Sequence, residues 1–288
     1  MSRKRTGSIQ KTTEKWIKEG RGQGTGANYN PWLTPRDVSS LGRCSRVQSE
    51  KINRTHVVLS DLELMYLNIL LWDDDVIDIS EQYPLLPVDE TLRIANYLGI
   101  VHPRKPGTNE TSTMTTDFLI EVRDSNGTHL EARYVKYSSD LVKPRNKEKL
   151  KIEIEYWSQR NIPLRIITEN SFNKVKAKNI ERILSYTDHM VEGLSDKQFF
   201  EITDILVREI IEGRYKKIRL NQITTQIDIK LGLQNGTALS SFFYLVKEKT
   251  IPVHMNIDLI GTKMIDEIID WDCIELKTVD MEEKHGFA

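Results

Sequence analysis

Asp117 and Lys136 sit at either end of an alternating run of apolar and polar residues that is interrupted by Asn126-Gly127. Asn-Gly is a strong short-range hairpin signal, because a type I′ turn needs positive φ at both central positions. With these two residues at the tip, Asp117 and Lys136 become direct cross-strand neighbours. Tyr134 then shares their face, opposite Leu119, while Phe118 and Val135 turn toward the core. A carboxylate beside a lysine at the open end of a hairpin suits phosphodiester hydrolysis. The carboxylate holds a hard divalent cation through oxygen. The cation polarises the phosphate and acidifies a bound water, and the lysine stabilises the extra negative charge of the transition state. The same pair can also be a plain cross-strand salt bridge, worth a few tenths of a kcal/mol to about 1 kcal/mol.

A second carboxylate stands in a similar position between two roles. Ser60-Asp61-Leu62-Glu63 precedes an apolar helical run. Glu63 is a candidate metal ligand if it projects toward the hairpin. Ser-x-x-Glu is also a capping box, in which the glutamate bonds back to the start of its own helix.

Elements must position these groups. Helical spacing of Leu62, Tyr66, Leu67, Leu70 and Leu71 predicts a helix over 60–72. Strands are expected over 76–83, 117–123 and 129–137, a helix over 146–160, and a buried strand over 162–168. This αβββαβ order describes an α/β layered domain. From residue 173 the pattern turns helical, with helices expected over 176–186, 196–212, 219–231 and 237–248 and an extended stretch over 251–260. Three helices followed by a wing suggest a winged-helix-like domain over 173–288, after a first domain over 1–172. Residues 1–26 read as a mobile basic arm. Its alternating glycines, Gly20 to Gly26, suit a loop lying close to a backbone, that of DNA being one candidate.

The formal net charge of −1 conceals a strong pattern. Residues 1–21 and 213–250 each carry seven Lys/Arg against two acids, whereas residues 60–90 carry nine acids and no Lys or Arg. Basic segments around an acidic cluster fit a metal-dependent nuclease as well as ordinary solvated faces. Candidate phosphate contacts are Arg21, Lys143, Arg145, Lys147, Arg214, Lys216 and Lys217. Cys44 and Cys273 form neither a metal-ligand spacing nor a disulfide framework, and no HExxH or CxxC occurs, so zinc is not expected. With no apolar run long enough for a membrane span, the reading is a cytoplasmic protein, nucleoid-associated when active.

Several stretches resemble the TnsA-type endonuclease subunits of heteromeric bacterial transposases. They include Ile17-Lys18-Glu19-Gly20-Arg21-Gly22-Gln23-Gly24, Pro31-Trp32-Leu33-Thr34, Leu59 to Leu64, Glu81 to Pro87, Thr116-Asp117-Phe118-Leu119, Val135-Lys136 and Tyr156-Trp157. The resemblance implies a restriction-endonuclease-like core and a winged-helix-like C-terminal domain. It places acidic metal ligands on Glu63 and Asp117 and the catalytic lysine on Lys136. It also implies magnesium, with manganese as a substitute, and cutting of double-stranded DNA at the 5′ ends of a transposable element. The implied partners are a TnsB-type recombinase and a TnsC-type ATPase regulator. One position departs: Tyr134 stands where the family pattern has Gln or Glu. A phenol is a poor magnesium ligand, so the backbone carbonyl of Val135 is the expected substitute. A stand-alone restriction or repair endonuclease and a non-catalytic DNA-binding adaptor are the competing readings.

Overall fold

The computed structural model describes residues 7–37, 43–105, 110–187, 194–211 and 217–274. The chain divides into two compact units, 1–172 and 173–288.

The segment expected to be a mobile arm is structured where it is described. Helix α1 spans Gly7–Lys18. The glycines after it make a tight loop against the protein itself. Gly22 donates its N–H to the Asn30 carbonyl, and Gly26 donates to the Asp78 carboxylate. Gly22 has φ +68°, and a Cβ there would lie 2.3 Å from Pro84 Cγ. The backbone this loop approaches is therefore its own chain, and glycine is required both for the conformation and for the space.

A hairpin follows, β1 (Ser45–Ser49) with β2 (Arg54–Val58). Helix α2 covers Asp61–Trp72, β3 Val76–Pro84, α3 Val88–Tyr97, β4 Thr115–Asp124, β5 Gly127–Val135, α4 Ser138–Leu141, α5 Pro144–Ser158 and β6 Leu164–Ile167. Strands β3 to β6 form one sheet in sequence order. The first three are antiparallel and β6 runs parallel to β5, with α5 as the crossover. The αβββαβ order is thus present, with α3 inserted after the first strand. Alternate residues of β4 serve opposite cores. Phe118 and Ile120 pack with Leu62, Tyr66 and Leu70 of α2. Leu119 packs with Ala132, Ile152, Tyr156 and Trp157 on the α5 side. Covered on both faces, β4 is apolar at its centre, Phe118-Leu119-Ile120.

The hairpin tip differs from the expected type I′ turn. Asp124 pairs with Gly127, so Ser125 and Asn126 form the turn and only Gly127 of the tip residues has positive φ. The Asp124 carboxylate accepts the Asn126 N–H at 2.8 Å, a side-chain turn that competes with the Asn-Gly arrangement. Leu119 consequently faces Ala132, not Tyr134, and the ladder runs on to set Tyr134, not Lys136, across from Asp117. The slip is of two residues, which leaves every side chain on its expected face.

The second unit contains α6 (Lys174–Thr187), α7 (Asp196–Ile211), α8 (Leu220–Leu231), α9 (Thr237–Lys247) and α10 (Ile265–Ile268). Gly232, left-handed at φ +66°, stops α8. Asp228 then accepts N–H bonds from Gly236 and Ala238, capping α9. The stretch expected as a wing forms no strand. Its backbone is held instead by buried Asn179, which donates to the carbonyls of Met255 and Ile257 and accepts from Leu259 N–H. Only isolated bridges, such as Val253 to Ile269, remain. Helix α9 buries Thr237, Ala238, Ser240, Ser241, Phe242, Phe243, Leu245 and Val246, so it is a core helix.

Replacing Gly22 by Ala tests the loop. The strain and the clash with Pro84 should cost about 1–3 kcal/mol in urea unfolding. An unchanged midpoint would mean that the loop does not pack against β3.

Candidate active site

Glu63 is tied to the start of its own helix. Ser60 caps α2, its Oγ accepting the Glu63 N–H at 3.2 Å. The Ser60 hydroxyl in turn donates to Glu63 Oε1 at 2.8 Å, and Leu59 N–H donates to Oε2 at 2.9 Å. The capping interaction holds the carboxylate at the mouth of α2, where it also lines a cavity of about 550 Å³ together with Asp117, Lys136 and Glu153.

Asp117 reaches that cavity from β4. Its Oδ2 accepts the Val135 N–H at 2.6 Å, tying the end of β4 to the end of β5. Lys136 follows on the same side of the hairpin as Tyr134, and its Nζ lies 5.8 Å from the Tyr134 ring centroid. That aromatic face attracts the ammonium and stiffens its long stem. Tyr134 is buried, and its phenol is held in the neutral form by burial and by the nearby Asp117. It is therefore a platform for Lys136.

Glu153 of α5 belongs to this constellation and was missed from the sequence. It is 1% exposed, accepts the Thr116 hydroxyl at 2.7 Å, and lines the cavity. Trp157 Nε1 donates to the same hydroxyl oxygen, fixing Thr116 between helix and strand. Its signal was a charge on an apolar stripe: Glu153, Tyr156 and Trp157 share one helical face, where an acid is out of place. Gln82 was missed too. It lies on β3 and donates from Nε2 to Glu63 Oε2 at 3.2 Å.

The electrostatics follow from this crowding. Burial and the neighbouring Glu63 push Asp117 up to about 7, against the pull of Lys136 and the Val135 N–H. Burial also raises Glu63, despite the donors from Leu59, Ser60 and Gln82 and the charge of Lys136. Glu153 is raised well above its ordinary range by burial and by Asp117. Lys149, on the cavity wall, is lowered by burial and by the cations Arg145 and Lys136. The cavity thus gathers three carboxyl groups that resist ionising together. A divalent cation would relieve that resistance. The donors are hard oxygens, which fit magnesium or manganese. Among the described residues no three acidic, imidazole or thiol side chains gather closely enough to hold an ion unaided, so backbone, water or substrate oxygens would complete its shell.

The other basic residues lie in several settings. Arg21 is committed internally: it pairs with Glu19 and Asp37, donates to the Trp32 carbonyl and stacks on Trp16. Lys143 pairs with Asp140, and Arg145 with Glu148 and the Val101 carbonyl. Lys147 and Lys217 are exposed, while Arg214 and Lys216 lie outside the described residues.

Residues 73–169 match the family described as TnsA-like endonuclease N terminal, and residues 172–255 that described as TnsA endonuclease C terminal. The chain is 37% identical over 267 residues to the transposon Tn7 transposition protein TnsA of Escherichia coli. The match spans 93% of this chain and 92% of that protein.

The raised Asp117 has a signed consequence. A carboxyl whose folded pKa lies near 7 rather than 3.8 stabilises the fold fully below about pH 4, and that contribution is lost as pH rises through 7. Asp117→Asn, neutral throughout, should raise the Tm of metal-free protein more at pH 8 than at pH 5. Equal gains at both values would contradict the assignment.

Proposed function

The chain belongs to the TnsA endonuclease family, and on that footing we propose that it is the metal-dependent subunit that cuts the 5′ ends of a transposable element. Its partners in this reading are a TnsB-type recombinase acting at the 3′ ends and a TnsC-type ATPase regulator. The observation that carries it is the meeting of Glu63, Asp117, Glu153 and Lys136 in one cavity beside the end of the sheet.

Glu63 and Asp117 are the side chains that would hold magnesium, or manganese in its place. The Val135 carbonyl is a third candidate, because a strand residue directs its N–H and C=O to the same neighbour, and the Val135 N–H already meets Asp117. The bound ion would supply Lewis-acid polarisation of the scissile phosphate and a water acidified for attack. Lys136, steadied over Tyr134, is placed to donate to a phosphate oxygen and to offset the charge that grows as water adds to phosphorus. Glu153, its carboxyl raised by burial and by Asp117, accepts from Thr116. Lys149 and Asn146, one turn apart on α5, line the cavity wall where a neighbouring phosphate would lie. Among the described residues no helix is long and apolar enough to cross a membrane; in this reading the protein is cytoplasmic and meets the nucleoid when active.

The test is strand-specific cleavage of end-labelled element-end DNA in magnesium, with the co-encoded recombinase and regulator. Asp117→Ala and Lys136→Ala should each lower 5′-strand cutting by at least about a hundredfold, with 3′-strand cuts retained. Unchanged 5′ cutting in these variants would move the chemistry elsewhere. Cutting by this chain alone would favour a stand-alone nuclease, and no cutting by wild type a non-catalytic adaptor. Lys149→Ala should weaken DNA binding and flatten its salt dependence by about one unit of slope, measured by fluorescence anisotropy.

A further inference from the structure

Gln82 is the one residue of β3 with a positive φ, +50°, although its register neighbours Glu81 and Tyr83 pair regularly with Phe118 and Thr116. A left-handed residue that is not glycine is costly, and it persists only where its surroundings over-determine it. Three features hold it. Its carbonyl accepts the Trp32 N–H at 3.3 Å. Its Oε1 accepts the Thr115 hydroxyl at 3.2 Å. The preceding residue, Glu81, is fully buried and locked by both Arg54 terminal nitrogens, by His56 and by the Val57 N–H. The Arg54 and His56 contacts outweigh the cost of burial and hold Glu81 at about 2, so this anchor stays charged.

The strain is spent on one contact, that of Gln82 Nε2 with Glu63 Oε2. We propose that Gln82 is a positioning residue that orients the Glu63 carboxylate for a single metal bond, through Oε1. The inference rests on the nuclease reading above and deepens it. A carboxylate offers about four lone-pair sites. Leu59 and Gln82 occupy both on Oε2, and Ser60 occupies one on Oε1. One site is left, on Oε1. Without the amide, Oε2 regains a free lone pair and the carboxylate is free to turn. Gln82 meets the reacting groups only through Glu63, so its effect appears first in metal affinity.

Glycine at position 82 separates backbone from side chain, because it accepts φ +50° without strain and lacks the amide. The probe is Mn²⁺, titrated into the full chain bound to an uncut element-end duplex. It is followed by the EPR signal of free Mn²⁺ and by the shift in Tm. Wild type should bind at a site lost in Asp117→Ala. Gln82→Gly should keep or raise the metal-free Tm yet bind Mn²⁺ about tenfold more weakly, the size of a lost hydrogen bond to a charged group. Thr115→Val, which frees the amide without touching the strained backbone, should move affinity the same way by a smaller factor. Gln82→Asn, which tolerates positive φ and keeps a shorter amide, should recover part of it. Wild-type Mn²⁺ affinity in Gln82→Gly overturns the inference and leaves the nuclease reading standing. A wild-type protein with no Asp117-dependent Mn²⁺ site overturns both.

Discussion

Burial of Glu63, Asp117 and Glu153 in one place is the constraint around which the first unit is organised. Each is buried enough to resist ionising, and Asp117 is pushed to about 7 by burial and by its neighbour. Three such groups would be selected against in a scaffold that needed only stability. Here every one is held by a donor: Leu59, Ser60 and Gln82 for Glu63, Val135 for Asp117, and Thr116 for Glu153. In the proposed reading, a dication bound there would offset the cost of ionising these carboxyls together, and their hard oxygens would suit magnesium or manganese.

The scaffold serves that cluster by bringing three elements to one place. Helix α2 supplies Glu63 from its capped N-terminus, the β4–β5 hairpin supplies Asp117 and Lys136, and α5 supplies Glu153 across the sheet's other face. The two cores that hold these elements lie on opposite faces of β4. Hydrophobic packing on both sides therefore fixes the relative positions of groups that would otherwise push apart. The Arg54–Glu81–His56 cluster does the same from β2, tying the first hairpin to β3 beside Gln82.

Much of this could be read from residues alone, and the failures have physical causes. Periodicity placed α2, the four strands, α5 and the helices of the second unit within a few residues. The hairpin register was wrong by two because the Asp124 side chain, bonding Asn126, decides the turn against Asn-Gly. The site survived that error because a two-residue slip preserves facing. Local pattern offered Glu63 as cap or ligand, and the two are compatible: the bonds that hold it at the start of α2 leave it lining the cavity with Asp117. Arg21 looked like a DNA contact by charge, yet its guanidinium is consumed by Asp37, Glu19 and Trp16. Glu153 and Gln82 were hidden for different reasons. The first left only one mark, an acid on an apolar stripe, with no spacing to tie it to Asp117. The second owes its place to a backbone conformation that no spacing encodes. The expected wing failed because Asn179, distant in sequence, takes the backbone bonds a strand would need.

The most direct test of the central claim is anomalous diffraction from crystals of the protein soaked in Mn²⁺. A peak bonded to both Glu63 and Asp117, with Lys136 alongside but not coordinating, is the predicted result. Ordered manganese elsewhere, with Asp117 still bonded only to Val135 and the cavity holding water, would contradict the view that this carboxylate cluster is built for a metal.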